Sequence, residues 1–455
     1  MNEIKSRIFR GAAGQGVSQA VTIIIQFASV PIFLLYWDVD LYGEWLILSA
    51  IPSYLLMSDL GFGGTAAREM AMLVSGDRRD KALCVFQSVW FLITLISLAL
   101  ILASSVALYL MPIGEWFHFN VMEKGVVTAV LVMMIFQVLL NLQGQLLYAG
   151  YNSEGHYGLG TIWLSFIRLS EFIVQMLAIM LGYGPLEVVV VALIARSICT
   201  LLMRWHLKRV APWIVYGIAH LEWLEIKRLT TPAISALAFP LGQALNLQGA
   251  RIIVGVVMGP VMVVTFASLR TLTRFIAMSL GMINRISQPE ISISYGKRDI
   301  HMMRNLYRKS CQLALWGGIF LCVLMYFSGG YIFEFWTAGK VIMDDNLFLV
   351  MLCASALQSL WTAAMVVLFA TNQHSKVAIG FIFCNLFYLI LSYFLLKYFG
   401  VVEMMLALAA GEATMLILIL PSSLRFVGDS FKGFMSEVIT LPLFLIRFVK
   451  KSKVA

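Results

Sequence analysis

Long apolar stretches separated by short polar segments account for most of the chain. A helix of about 20 apolar residues is long enough to cross a hydrocarbon core of roughly 30 Å. Twelve stretches meet this criterion, at residues 12–36, 43–67, 83–111, 124–149, 158–182, 187–206, 232–258, 261–284, 308–333, 345–370, 377–398 and 402–423. The pattern therefore predicts an all-α polytopic membrane protein with twelve transmembrane helices.

The segments between these stretches differ in charge on the two faces of the predicted membrane. On one face the connections are short, and across them and the adjoining helix ends the only basic residues are Lys124, Lys340 and Lys397, against many acids. The other face, which includes both termini, collects Arg78, Arg79, Lys81, Lys208, Arg209, Lys227, Arg228, Lys297, Arg298, Arg304, Arg308, Lys309, Arg447, Lys450, Lys451 and Lys453. Because an excess of basic residues marks the cytoplasmic face, both termini are predicted to be cytoplasmic.

Composition agrees with a membrane protein and excludes several other classes. Of the 455 residues 60% are hydrophobic and 13% are charged, and the mean hydropathy is +0.87. The net charge of +9 belongs to no soluble basic domain, so nucleic acid is not an expected partner. The six cysteines are scattered without metal-type spacing, and the first apolar stretch is too long for the core of a signal peptide.

Several landmarks recur in the two halves of the chain. Glu290 follows Glu69 by 221 residues, and Gly400 follows Gly184 by 216 residues. A nearly constant offset indicates a repeat of six helices, with both halves in the same orientation. The predicted organisation is an N-terminal lobe at 1–206, a cytoplasmic amphipathic linker at 207–230, a C-terminal lobe at 231–425 and a basic cytoplasmic tail at 426–455.

Two arginines one helical turn apart, Arg270 and Arg274, interrupt the eighth apolar stretch. A charge near the middle of a membrane costs several kcal/mol unless it meets protein, water or a counter-ion. One interpretation pairs these arginines with Glu171, Glu412 or Asp59. In the other they line a cavity and bind phosphate oxygens, which match the planar guanidinium.

The balance of charge within the predicted helices favours an anionic ligand. Two positive charges remain unmatched when the arginines Arg168, Arg196, Arg251, Arg270 and Arg274 are counted against the acids Asp59, Glu171 and Glu412. Arg168 and Glu171 are three residues apart and are predicted to pair locally. Glu412 follows Arg196 by 216 residues, the repeat offset, so these two are a hypothetical bridge between the lobes that breaks during transport.

Uncharged polar side chains add candidate cavity-lining groups. Amides hydrogen-bond sugar hydroxyls, yet they serve equally well as contacts between helices, and both roles remain open. The candidates are Gln19, Gln26, Gln243, Asn246, Gln248 and Tyr54.

One local motif relates the sequence to a family. The second stretch starts with YG and continues to a DLGFG segment followed by an arginine, at Tyr42, Gly43, Asp59, Leu60, Gly61, Gly63 and Arg68. It resembles the second helix of polysaccharide-lipid flippases in the multidrug/oligosaccharidyl-lipid/polysaccharide (MOP) exporter superfamily. The twelve helices, the repeat and the short outer loops are similar to the same group over essentially the whole chain, which implies a MATE-like bundle of two lobes.

The resemblance implies a flippase for an undecaprenyl-diphosphate-linked oligosaccharide, such as an O-antigen unit, in the bacterial inner membrane. Such proteins alternate access between two lobes around a cationic cavity. Membrane lipids are implied partners, and a polysaccharide polymerase and chain-length machinery are candidate partners. Glu171, Glu412, Asp59 and Arg68 are candidates for charge pairing or gating. The first stretch lacks the acidic residue that many drug exporters use for cation coupling, so a coupling ion is left open.

Other functions remain as alternatives. A secondary exporter of drugs or metabolites would use a related twelve-helix fold. An integral-membrane enzyme would usually need a catalytic loop outside the membrane, and no predicted outer loop reaches about 15 residues. The sequence contains no GxxxxGK[ST] nucleotide-binding motif and no metal-type cluster, so neither catalysis nor a resident cofactor is expected.

Overall fold

The computed structural model describes residues 2–57, 61–110, 116–117, 119–296, 298–371, 373 and 375–441. Within these ranges the chain forms fifteen α-helices and no strand. They are α1 (Asn2–Tyr36), α2 (Val39–Ser53), α3 (Phe62–Ser75), α4 (Arg79–Leu110), α5 (Lys124–Ser153), α6 (Tyr157–Met180), α7 (Pro185–Val210), α8 (Trp223–Ala244), α9 (Ala250–Met258), α10 (Pro260–Gly296), α11 (Ile300–Trp336), α12 (Asp345–Ala370), α13 (Ser375–Tyr398), α14 (Val401–Val427) and α15 (Phe431–Val438).

The predicted membrane helices are confirmed at all but one of the twelve positions. In the described part of the chain, eleven helical segments are long and apolar enough to cross a membrane, and each overlaps one predicted stretch. The exception is the second stretch, 43–67. There α2 ends at Ser53, a 3₁₀ turn covers Tyr54–Met57, and α3 begins only at Phe62. The prediction of one continuous second helix is therefore wrong.

A glycine at the start of α3 explains part of this break. Gly61 has a φ of 78°, in the left-handed region that disfavours residues with a side chain. A Cβ at this position would lie 2.4 Å from the carbonyl oxygen of Ala233 on α8. The backbone therefore turns against α8 at a point where only glycine fits.

The chain divides into two compact units, which we call unit 1 (Met1–Val264) and unit 2 (Thr265–Ala455). In unit 1, buried side chains of α3 to α8 form one hydrophobic core, and α1 packs against α6. In unit 2, α12 packs against α11 and α14. The predicted lobe boundaries at 206 and 231 stay a prediction.

Corresponding helices in the two units share a local arrangement. In unit 1, α7 packs against α5 and α6, and in unit 2, α14 packs against α12 and α13. Both α7 and α14 begin after a glycine. A Cβ added to that glycine would lie 3.2 Å from a carboxylate oxygen of a glutamate in the first turn of the helix. The pairs are Gly184 with Glu187 and Gly400 with Glu403. These glycines and glutamates are the residues by which the repeat is recognised in the sequence.

Polar side chains attach the connection between α7 and α8 to helix ends. Gln87 of α4 donates to the carbonyl oxygen of Val215 at 3.0 Å and accepts from the backbone N–H of His220 at 2.7 Å. Trp213 donates to Glu154 at 2.6 Å. The predicted linker at 207–230 is therefore helical at both ends, and its irregular middle is bonded to the helices of unit 1.

Candidate functional site

A buried carboxylate joins three helices in unit 1. Glu171, near the middle of α6, receives two hydrogen bonds from the guanidinium of Arg196 on α7, through Nε and, at 2.5 Å, through Nη2. It also accepts from the side-chain amide of Gln137 on α5 at 2.8 Å. Both charged residues are less than 9% exposed, so the pair is stabilised by its own geometry rather than by water.

Arg168, on the same helix as Glu171, donates hydrogen bonds only to neutral groups among the described residues. Arg168 donates from Nη2 to the Ser18 hydroxyl at 2.8 Å, from Nη1 to Thr22 at 3.4 Å and from Nη2 to Ser165 at 3.5 Å. Arg168 and Glu171 interact electrostatically, but among the described residues the predicted local pair is not joined by a hydrogen bond. Although the two residues share a helix, the facing side of α7 presents Arg196, which takes both carboxylate oxygens.

The two arginines line a cavity of about 370 Å³ within unit 1. Hydroxyl and amide groups from four helices form most of its polar surface. The lining residues with polar side chains are Ser18, Asn141, Gln145, Thr161, Arg168, Arg196 and Thr200. Leu140, Gly144, Leu164 and Ile167 form the rest of the wall.

Unit 2 contains the arginine pair of α10 together with one carboxylate. Arg270 and Arg274 lie near the middle of the apolar segment Pro260–Asn284. Glu412 of α14 interacts electrostatically with both guanidinium groups. Its carboxylate also accepts a hydrogen bond from the indole N–H of Trp361 on α12 at 2.5 Å. The Arg270 guanidinium lies 5.4 Å from the ring centre of Phe266, within cation–π range.

The hypothetical bridge between Arg196 and Glu412 stays a prediction. In this structure Arg196 is bonded to Glu171, and Glu412 is bonded to Trp361. An exchange between these partners would require both existing sets of contacts to break.

The fifth arginine and three of the predicted amides lie around an irregular helical segment of unit 1. Between α8 and α9 the residues Leu245–Gly249 form a π-helix, a distortion that is frequent at functional sites. Gln243 is exposed before it, whereas Asn246 and Gln248 are half-buried within it. The Oε1 atom of Gln248 is buried without a hydrogen-bond partner among the described residues. Arg251 follows on α9 and interacts electrostatically with Tyr42.

The remaining predicted residues are dispersed. Gln19 and Gln26 are half-buried on α1, and Tyr54 is half-buried in the 3₁₀ turn after α2. Arg68 is exposed on α3 and donates to the hydroxyl of Thr65 at 3.1 Å. Asp59 lies outside the described residues.

Sequence reasoning did not single out Glu44, which is 1% exposed near the start of α2. Its carboxylate accepts from three consecutive backbone N–H groups, those of Asn120, Val121 and Met122, at 2.6, 2.8 and 2.8 Å. It therefore attaches the segment before α5 to α2. The signal in the sequence was an isolated acid at the start of an apolar stretch.

Two residues that donate hydrogen bonds to Glu171 and Glu412 were also missed. Gln137 and Trp361 each donate a hydrogen bond to a carboxylate, but in sequence they stand in apolar stretches without a nearby charge. In the described part of the chain, no group of three or more His, Cys, Asp or Glu residues is placed to hold a metal ion.

No protein-family model matches the chain, and no curated protein matches it. Solved structures do. The chain is similar to the inward-facing conformation of a multidrug resistance MATE family transporter of the MOP superfamily, with a TM-score of 0.75 and 11% identity over 90% of this chain and 94% of the other. The fold is that of the MATE transporters. At this identity the similarity extends to the fold alone, and together with the apolar helices it makes this a multi-pass membrane protein.

Two further solved structures have the same fold. The outward-facing conformation of a multidrug resistance MATE family transporter aligns with a TM-score of 0.59 and 13% identity over 93% of this chain and 96% of the other. A MOP superfamily transporter from Pyrococcus furiosus, described by a reverse polarity of its binding pocket, aligns with a TM-score of 0.57 and 10% identity over the same shares of both chains.

Proposed function

We propose that the protein is a secondary transporter that moves a lipid-diphosphate-linked oligosaccharide across the membrane by alternating access. The observation that carries the proposal is the arrangement in unit 2. Arg270 and Arg274 project from one helix at mid-membrane depth and share the charge of Glu412, which leaves a net charge of +1. A MATE fold supplies a scaffold of the kind that secondary transporters use.

The proposed role of the arginine pair is to bind the diphosphate. Guanidinium groups stay charged when they leave water, and their planar donors match phosphate oxygens in pairs. Two arginines one turn apart present two such forks toward neighbouring phosphates. Glu412 weakens this attraction without cancelling it, which favours release as well as capture.

Other parts of the proposal concern orientation and partners. We place both termini in the cytoplasm and the protein in a bacterial inner membrane, with Gln19, Gln26, Gln243, Asn246, Gln248 and Tyr54 as contacts for sugars. Polysaccharide polymerase and chain-length machinery are the proposed protein partners. A reporter that is active only outside the cytoplasm can be fused at residue 1 or at residue 455. Both fusions should be inactive, and an active fusion would contradict the orientation.

Retention of undecaprenyl diphosphate by purified protein tests the proposed ligand. The double variant Arg270→Gln/Arg274→Gln should lose about tenfold or more in affinity, since each charged hydrogen bond removed weakens binding. The matched control Lys340→Gln/Lys432→Gln removes two exposed charges from the same unit and should bind as the wild type does. Equal retention by the arginine variant and the wild type would overturn the proposal.

The second candidate function is export of drugs or metabolites. The observation in its favour is that solved proteins of this fold are multidrug resistance transporters. The half-buried Glu412 would then bind organic cations. Ethidium efflux from cells that express the protein separates the two functions: efflux that Glu412→Gln abolishes supports this candidate, and absence of efflux together with undecaprenyl diphosphate retention supports the first.

A further inference from the structure

The cavity of unit 1 has a positive charge that the protein itself does not neutralise. Arg168 and Arg196 line it, and Glu171 is the one acid bonded to either of them within the described residues. Glu171 is bound by Nε and Nη2 of Arg196, so Nη1 of Arg196 is left for a ligand. Arg168 has three uncharged hydroxyl partners and interacts electrostatically with Arg196 as well as with Glu171, so two positive charges face one negative charge.

A charge in this position needs a counter-ion. Arg168 lies near the middle of α6, one of the helices long enough to cross a membrane. Hydroxyl groups satisfy hydrogen-bond donors but offset little of the electrostatic cost of holding a guanidinium away from water. An anion in the cavity would offset that cost, and a cation would add to it. The charge therefore selects the sign of the ligand.

The rest of the wall indicates what the anion is attached to. Ser18, Thr161 and Thr200 supply hydroxyls, and Asn141 and Gln145 supply amides. Each of these groups both donates and accepts, which suits a ligand with several hydroxyls of its own. A volume of about 370 Å³ lies in the range of small-molecule pockets.

We propose that unit 1 contains a binding site for the phosphoryl or carboxylate group of an acidic sugar, centred on Arg168. The Nη1 group of Arg196 binds the same oxyanion, and the surrounding hydroxyls and amides bind the sugar. The site belongs wholly to unit 1 and uses neither Arg270 nor Arg274. It therefore does not rest on the function proposed above.

Calorimetric titration of the purified full-length protein with three sugars tests this site. Glucuronate carries a carboxylate, glucose 6-phosphate carries a phosphoryl group, and glucose carries neither. Saturable binding of either charged sugar, with at least tenfold weaker binding of glucose, supports the proposal. The charged sugar that binds more tightly shows whether the site prefers a carboxylate or a phosphoryl group. The proposal is overturned if glucose binds as strongly as both charged sugars, or if none of the three sugars binds.

Three variants assign the site to its residues. Arg168→Gln should weaken binding of the charged sugar about tenfold or more, whereas the exposed control Arg78→Gln should leave it unchanged. Glu171→Gln keeps an acceptor for Arg196 but removes a negative charge, so it should strengthen binding. Since misfolding cannot strengthen binding, weaker or unchanged binding in a folded Glu171→Gln protein would count against the site.

One more variant separates this site from the proposed function. In Arg270→Gln/Arg274→Gln, retention of undecaprenyl diphosphate should fall while the charged sugar still binds. Loss of sugar binding in that variant would contradict a separate site in unit 1. If the wild-type protein binds the charged sugar but retains no undecaprenyl diphosphate, only the proposed function is contradicted.

Discussion

In each unit one glutamate lies close to two arginines near the middle of apolar helices, namely Arg168 and Arg196 in unit 1 and Arg270 and Arg274 in unit 2, but the glutamate is used differently. In unit 1 the arginines lie on adjacent helices, and Glu171 gives both oxygens to Arg196 as hydrogen-bond acceptors, while its interaction with Arg168 is electrostatic only and Arg168 has hydroxyl partners. In unit 2 both arginines lie on one helix, and the glutamate of α14 interacts with both. The same composition thus gives one closed pair in unit 1 and a shared carboxylate in unit 2.

The difference has a physical consequence for stability and for binding. A buried pair with bidentate geometry is costly to break, because each partner left alone keeps the full penalty of a buried charge. A carboxylate shared between two guanidinium groups and an indole can lose one partner and keep the others. We therefore expect unit 1 to depend more on its glutamate for folding than unit 2 does.

Removing the glutamate of unit 1 should have the largest effect. Glu171→Ala leaves Arg196 buried without its partner and should lower the free energy of unfolding by about 3 to 5 kcal/mol. Chemical unfolding in detergent measures this loss. The control is Glu123→Ala, because Glu123 is exposed and its side chain makes no capping hydrogen bond to α5. The double variant Glu171→Leu/Arg196→Met should recover most of the loss, and a double variant as unstable as Glu171→Ala would contradict a closed pair.

An intermediate effect is expected from the indole that contacts the glutamate of unit 2. Trp361→Phe keeps an aromatic ring against Phe381 but removes the donor to Glu412, and a hydrogen bond to a charged group contributes about 1.5 to 3 kcal/mol. The same unfolding assay should show a loss in this range, with the exposed Trp223→Phe as control. A loss as large as that of Glu171→Ala would remove the contrast between the units.

The smallest effect should come from an ion cluster at the end of the predicted stretch 308–333, where Arg308 contacts the segment after α14. Arg308 binds Asp429 at 2.6 Å and Glu437 at 2.5 Å, and its hydrogen bonds to Asp429 hold the pKa of that carboxyl below its ordinary 3.8. A lowered pKa stabilises the fold above about pH 4 and loses that contribution as the pH falls through the lowered value. Asp429→Asn should cost about 1 kcal/mol at pH 7, because the amide keeps one acceptor oxygen for Arg308 and Arg308 keeps its bond to Glu437.

The pH dependence gives this last prediction its control. Wild-type stability should fall from pH 5 to pH 3 more steeply than that of Asp429→Asn, which has no proton to take up at this site. Parallel curves for the two proteins over this range would show that Asp429 does not contribute.

Much of the fold follows from the sequence because apolar length and charge position are local properties. Eleven of the spans and the mid-helix depth of Arg168, Arg270 and Glu412 depend only on counting residues along helices. The sequence also contained a signal for the break in the second span, namely the glycines Gly61, Gly63 and Gly64. It was missed because mean hydropathy over a window does not register a local change of backbone conformation.

The pairing of the charges could not be predicted in the same way. A spacing of three residues places Arg168 and Glu171 on one face of α6, but the preferred partner depends on how α7 is rotated against it. That rotation is set by packing among α5, α6 and α7, in which Arg196 is brought to both carboxylate oxygens. Likewise nothing in the sequence around Trp361 indicates that its N–H faces a carboxylate 51 residues later.

Movement of the lipid substrate in reconstituted vesicles tests the central claim most directly. A fluorescent undecaprenyl-diphosphate oligosaccharide is placed in both leaflets, and impermeant dithionite bleaches the outer leaflet. With wild-type protein nearly all fluorescence should be lost, since the inner pool reaches the outer leaflet. With Arg270→Gln/Arg274→Gln about half should remain protected, as in vesicles without protein. Full bleaching with this variant, or protected fluorescence with the wild type, would contradict the account.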